Sequence, residues 1–181
     1  PYTVLFEVQK IIQKTNIAIG AQDCSTEIRG PYTGDVSAEM ISDVGCKYVI
    51  VGHSERRLYR GEDNKIILKK VNNAQKYNLV PIVCVGEKAT DRDNGKAVDV
   101  IRKQLEDSLP LNCTEQNCII AYEPVWAIGT GVIPSIEAIK EMFSMIKEWL
   151  YEKYKDRNIK ILYGGSVNND NAKEIFACKD V

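Results

Sequence analysis

Five short apolar runs at similar intervals constrain this chain more than any other feature. They are Ile17-Ala18-Ile19-Gly20-Ala21-Gln22, Tyr48-Val49-Ile50-Val51-Gly52, Val80 to Gly86, Cys118 to Glu123, and Ile159 to Gly164. Short, nearly continuous apolar runs are the pattern of strands buried on both faces. Their starts lie about 30 to 40 residues apart, the length of one strand plus one covering helix, so they predict successive βα units and a parallel sheet.

The intervals carry helical stripes. Ile67, Val71 and Ala74 mark one, Ala97, Ile101 and Leu105 another. Ile136, Ile139, Phe143, Ile146 and Leu150 give a long one, and Ala172, Ile175 and Phe176 a short last one. An opening helix is expected from Val4, Leu5, Val8, Ile11 and Ile12, with Thr3 as its N-cap. Each stripe is read as the face that covers the sheet. No low-complexity segment or linker interrupts the series, so residues 1–181 are expected to form a single domain.

Two parallel α/β architectures fit such a chain. A doubly wound dinucleotide fold calls for G-x-G-x-x-G after an early strand. The nearest match, Gly129-Thr130-Gly131, has Pro134 at the position of the third glycine, and no G-x-x-x-x-G-K-[ST] occurs. In a (β/α)₈ barrel, functional groups come instead from the ends of several different strands. His53, Glu87, Glu123 and Gly164-Gly165-Ser166 each follow a strand run here, which favours the barrel.

Composition removes several function classes. Twenty-four basic and 25 acidic residues leave a formal charge of −1, with no electrostatic footprint for nucleic acid or an anionic membrane. No apolar run approaches the roughly 18 residues of a membrane span, and Pro1-Tyr2-Thr3 does not read as a signal peptide. The six cysteines show no CxxC spacing, and Cys84 and Cys118 sit in strand runs as small hydrophobes. A reduced cytoplasmic protein without structural disulfides is expected. One histidine and no paired cysteines give no metal site. Asn112-Cys113-Thr114 matches a glycosylation pattern, read as accidental without a secretory signal.

Chemistry concentrates in three strand-end segments. In Ala121-Tyr122-Glu123-Pro124-Val125-Trp126-Ala127-Ile128-Gly129-Thr130-Gly131, Glu123 closes a strand and Pro124 ends its pairing. A carboxylate followed by an apolar loop between proline and glycine hinges suits a base under a lid. An ordinary βα turn with a packed tryptophan is the alternative. Gly52-His53-Ser54-Glu55-Arg56-Arg57 puts the single histidine at a strand end, where a structural or a catalytic role is open. Tyr163-Gly164-Gly165-Ser166-Val167 is either a glycine-rich turn or a set of backbone N–H groups for a phosphate. Residues 23–36 make a long loop of about 14 residues, with Gly30-Pro31-Tyr32-Thr33-Gly34-Asp35 at its tip.

Together these strings resemble the triosephosphate isomerase family over nearly the whole chain. The resemblance implies a (β/α)₈ barrel of which this chain carries roughly strands three to seven. Pro1 would fall about where the second strand ends, and Val181 before the eighth strand. On that mapping the 181-residue chain alone is expected to be inactive.

The resemblance implies interconversion of dihydroxyacetone phosphate and glyceraldehyde 3-phosphate through an enediolate, without metal or organic cofactor. It assigns Glu123 as the base and a neutral His53 as the electrophile. Glu55 is the carboxylate that the family places beside a catalytic lysine. Gly165, Ser166 and the N–H of Gly129 hold the substrate phosphate, and Pro124, Val125, Trp126, Ala127, Ile128, Gly129, Thr130 and Gly131 form the lid. Glu87, in Cys84-Val85-Gly86-Glu87, matches a position with a mainly structural role. Tyr32, Thr33 and Asp35 lie in the loop that interdigitates in a homodimer, with Thr33 beside the partner's site. Two residues depart from the family pattern: Asp23, where asparagine is usual, and Asp35, where glutamate is usual. The alternatives are another phosphosugar-handling barrel, such as an epimerase or aldolase, or a non-catalytic barrel used for binding or adhesion. A Schiff-base aldolase needs a strand-end lysine, which none of the five runs supplies.

Overall fold

The computed structural model describes residues 1–128, 134–156 and 158–178. Strands and helices alternate along the chain. In order they are α1 (Leu5–Ile12), β1 (Gly20–Ala21), α2 (Ala38–Asp43), β2 (Tyr48–Val51), α3 (Ser54–Arg60), α4 (Asn64–Lys76) and β3 (Val80–Val85). Then follow α5 (Ala89–Asp93), α6 (Ala97–Ser108), β4 (Ile119–Tyr122), α7 (Ile136–Tyr154), β5 (Lys160–Tyr163) and α8 (Ala172–Phe176).

All five expected strands form, and all pair in parallel in the order β1-β2-β3-β4-β5. A doubly wound sheet reverses its strand order at a switch point. This sheet never reverses, so each strand end sits beside the next in sequence. The strand-end residues therefore share one rim. Val49, Val51, Val83, Val85 and Ile120 are fully buried, as strands covered on both faces require.

Caps set several helix starts. Ser37 and Ser135 accept backbone hydrogen bonds from Met40 and Ala138 at 3.3 and 3.2 Å, and Asp63 accepts from Ile66 at 2.9 Å. Ile67, Val71 and Ala74 of α4, Ile101 and Leu105 of α6, and Ile139, Phe143, Ile146 and Leu150 of α7 enter the core as their spacing predicts. Phe143 meets Tyr122 of β4 edge to face, with ring centroids 6.2 Å apart, so α7 packs directly beneath the strand that ends in Glu123.

Four expectations are corrected. Thr3 does not cap α1: Tyr2–Val4 form a 3₁₀ turn, and Val4, with no side chain able to cap, takes the N-cap position. The stripe on α1 does not cover the sheet, since only Leu5 is buried while Val4, Val8 and Ile11 remain exposed. The run from Ile17 contributes only Gly20–Ala21 as strand, because β1 is an edge paired on one side alone and its ladder starts at Gly20↔Tyr48. Phe176 faces solvent, as α8 makes barely more than one turn and buries only Ile175.

Candidate active site

The site is built where β2 and β4 end. Gly52, at φ +72°, turns the chain sharply after β2, and an added Cβ would lie 2.9 Å from Ile67. The turn delivers His53 as the N-cap of α3: its Nδ1 accepts the backbone N–H of Glu55 at 3.3 Å. Accepting at Nδ1 requires a lone pair there, so the ring carries its proton on Nε2. That nitrogen lies 3.3 Å from Glu123 Oε1.

Glu123 is held in register by its backbone N–H donating to Val85 O at 2.8 Å. Its carboxylate is almost completely buried, and Oε2 accepts the N–H of Ser54 at 2.9 Å. The first turn of α3 therefore donates to both members of the pair, one N–H to the imidazole and one to the carboxylate. Glycines on either side leave room for it. A Cβ at Gly86 would stand 1.9 Å from Glu123 O, and one at Gly164 would stand 2.8 Å from Glu123 Cγ.

Three supporting residues were not legible in the sequence. Arg57 donates to Gly52 O at 2.9 Å, Cys84 O at 3.1 Å and Asn64 Oδ1 at 2.7 Å, tying the end of β2 to β3 and α4. Burial is the main influence on its guanidinium and lowers its basicity. Cys84, expected as a small hydrophobe, hydrogen-bonds Glu123, and burial followed by that carboxylate's charge pushes its thiol well up. Glu87 is fully buried and its Oε1 takes three donors: Trp126 Nε1 at 2.8 Å, Tyr122 OH at 3.1 Å and Arg92 at 3.2 Å. Arg92 also stacks over the Trp126 ring, 5.2 Å from its centroid. Glu87 thus anchors the 3₁₀ turn Val125–Ala127 that follows Pro124.

The other site expectations divide. Ser166 Oγ donates to Ala127 O at 3.3 Å, bringing the glycine-rich segment against the segment after Glu123. Gly165 packs on Tyr163, whose hydroxyl would stand 2.2 Å from an added Cβ. Glu55 lends His53 its N–H, but its carboxylate is exposed and 3.9 Å from Nδ1, away from Glu123. Gly129, Thr130 and Gly131 lie outside the described residues. Tyr32, Thr33 and Asp35 are exposed in a loop closed at its base by Ser25, which donates to Asp35 Oδ2 at 2.6 Å and to Val36 O at 2.9 Å. Among the described residues no group of histidine, cysteine and carboxylate side chains is arranged to hold a metal.

A buried charge cluster braces α3 from below. Lys70 lies 2.7 Å from Asp23 and 2.6 Å from Glu62, and Arg56 reaches the same two carboxylates at 2.9 and 2.7 Å. Burial raises the Asp23 carboxyl against the pull of Lys70. Burial opposes ionisation at Glu62 as well, but hydrogen bonds from Lys70 and Arg56 together hold that group low. The departure at Asp23 is thereby matched: two carboxylates face two cations.

A sequential parallel sheet with an imidazole and a carboxylate paired at adjoining strand ends defines a (β/α)-barrel enzyme arranged for proton transfer. The family model described as triosephosphate isomerase matches residues 1–181. The triosephosphate isomerase of Afipia carboxidovorans is 44% identical over 183 residues, 100% of this chain and 73% of that protein. That of Alkaliphilus oremlandii is 44% identical over 187 residues, 100% of this chain and 75% of its own. The crystal structure of triosephosphate isomerase from Bartonella henselae shares 39% identity with a TM-score of 0.94, covering 100% of this chain and 75% of that one. The chain belongs to the triosephosphate isomerase family, and its five-stranded sheet is part of a (β/α)₈ barrel.

Proposed function

We propose that the site interconverts dihydroxyacetone phosphate and glyceraldehyde 3-phosphate, as a step of glycolysis and gluconeogenesis, with Glu123 as the single base. Glu123 removes a proton from the carbon beside the substrate carbonyl and returns it to the neighbouring carbon. His53 donates a hydrogen bond from Nε2 to the carbonyl oxygen and moves protons between the two oxygens of the enediolate. The division of labour follows the pattern known for triosephosphate isomerase. Gly165, Ser166 and Gly129 bind the phosphate through backbone N–H groups, and the segment from Pro124 to Gly131 closes over it to exclude water. Glu55 acts on a lysine rather than on substrate. No metal or organic cofactor is needed, because one base and one hydrogen-bond donor complete an aldose–ketose isomerisation.

The observation that carries this reading is the 3.3 Å approach of His53 Nε2 to Glu123 Oε1, with Nδ1 occupied by the Glu55 N–H. Only that tautomer points its proton toward the carboxylate side, where a substrate carbonyl would insert. In the active enzyme, Glu123→Gln should lower kcat by about 10²–10⁴-fold. Binding of a phosphate ligand should be largely retained, since the phosphate groups lie on other segments. Near-normal kcat would refute the assignment.

Residues 1–181 belong to a single barrel domain, which acts as a cytoplasmic homodimer. The loop carrying Tyr32, Thr33 and Asp35 enters the partner, with Thr33 beside its site. A cavity of about 480 Å³ between the base of that loop and Arg56, lined also by Tyr2 and Glu62, offers a socket of suitable position. The near-neutral charge supports neither a nucleic-acid nor a membrane partner, and no described helix is long and apolar enough to cross a membrane.

A further inference from the structure

Cys113 and Cys118 bracket a surface turn between α6 and β4, at the end of β4 opposite Glu123. Thr114 N donates to Asn117 Oδ1 at 2.8 Å, Cys118 N to Thr114 O at 3.1 Å, and Asn117 Nδ2 to Asn112 O at 2.9 Å. The turn folds its two ends together, and the thiols of Cys113 and Cys118 hydrogen-bond each other. Gln75 Nε2 donates to Cys113 Sγ at 3.8 Å while also holding Asn117 O at 3.2 Å. The Tyr154 hydroxyl reaches the same sulfur.

A cysteine that serves only as a small apolar filler needs no donors. Here a thiol, an amide and a phenol converge on one sulfur. We propose that Cys113 and Cys118 are a redox-active dithiol that a hydroperoxide closes to an intramolecular disulfide.

The electrostatics divide the roles. The hydrogen bond from Cys118 is the main influence that lowers the Cys113 thiol; burial opposes it, and Gln75 and Tyr154 add to it. The same contact, followed by burial, drives Cys118 well up, so it keeps its proton. Burial pushes Cys24 up to about 12, and raises Cys46 as well, leaving both poorly nucleophilic. Cys113 is 3% exposed beneath a turn whose Leu111, Glu115 and Gln116 face solvent, so a small oxidant needs only a shift of that turn to reach it.

The Cys113 thiolate attacks one oxygen of the hydroperoxide and the O–O bond breaks. Cys113 becomes a sulfenic acid, and the departing alkoxide or hydroxide takes a proton from water. Cys118 then attacks the Cys113 sulfur, the S–O bond breaks, and hydroxide leaves with the Cys118 proton as water. Two electrons pass from the two sulfurs to the peroxide. The thiols start in contact, so forming a bond of about 2.05 Å requires only a small closing movement of the turn.

The test is hydrogen peroxide treatment of the native protein, followed by thiol counting and peptide mass mapping. The expected result is the joint loss of two thiols and of two hydrogen masses from the peptide spanning Cys113 and Cys118, both reversed by dithiothreitol. Cys118→Ser should trap Cys113 as a sulfenic acid that dimedone labels, and Cys113→Ser should leave Cys118 unreacted. Free Cys113 and Cys118 after peroxide has modified other cysteines would overturn the proposal. So would a disulfide joining either of them to a different cysteine. Both decisive readouts come from the unsubstituted chain, so poor folding of a variant does not obscure them.

Discussion

Gly164 forms the wall against which the candidate base rests, and replacing it with alanine tests the site's geometry with one methyl group. The backbone at 164 accepts an L side chain, but the new Cβ would lie 2.8 Å from Glu123 Cγ and 3.2 Å from Tyr122 O. Carbon atoms in comfortable contact stand about 3.5–4.0 Å apart, so the Glu123 side chain has to retreat by about 1 Å. The backbone cannot yield in its place, because Gly164 N is bonded to Tyr122 O at 2.8 Å and Glu123 N to Val85 O at 2.8 Å. A displacement of about 1 Å in a reacting group costs on the order of 10²-fold in rate. Overpacking of this kind adds a stability loss of about 1–3 kcal/mol. A coupled isomerase assay on the active enzyme should therefore show kcat down about 10²-fold, with the smaller change in KM. Gly95→Ala is the control: at φ +68° with nothing within 4 Å, it strains the backbone but touches no site residue. It should lower stability and spare kcat. Wild-type kcat in Gly164→Ala would refute the claim that the position of Glu123 is set by the glycines around it.

Glu87→Ala strips the acceptor from Trp126, Tyr122 and Arg92, and each buried donor left unpaired costs about 1–3 kcal/mol. Denaturant unfolding should show that loss and kcat should fall as the turn Val125–Ala127 loosens; unchanged values for both would show that Glu87 anchors nothing. Replacing residues 31–34 by glycines should weaken a dimer seen by sedimentation, and an unaltered dimer would mean that another surface joins the subunits. Residues 1–181 expressed alone should show no isomerase activity and no cooperative thermal transition by near-UV circular dichroism, because β1 and β5 leave open edges on the sheet. A cooperative transition with activity would contradict this.

The fold was legible because its signals are local and periodic. Val49 and Val51, or Ile67, Val71 and Ala74, declare their element by spacing alone, and the buried set agrees. Element ends were less legible: β1 shrank to Gly20–Ala21 because edge pairing, not apolar content, limits a strand with one neighbour. The His53–Glu123 pair could be anticipated from two strand ends, and the comparisons place the chain in the matching family. What the sequence could not supply was the set of contacts between distant segments. Cys84 sits in an apolar run and reads as core, yet it touches Glu123, which lies on the adjacent strand. Arg57 reads as half of a surface Arg-Arg pair, but its three hydrogen bonds join segments up to 27 positions away. Glu87 looked structural, and its importance to the turn after Pro124 appears only once Trp126 Nε1 is seen 2.8 Å from it. Long-range partners of this kind leave no trace in local pattern.

The central claim is that Glu123 takes the substrate's carbon-bound proton, and solvent isotope incorporation reads that step without requiring turnover to product. Dihydroxyacetone phosphate in deuterium oxide should gain deuterium at C1 with the active enzyme, since the abstracted proton can exchange before it returns. Glu123→Gln should abolish that gain while still binding the phosphate ligand. Deuterium incorporation by Glu123→Gln at the wild-type rate would contradict the account, because another group would then be removing the proton.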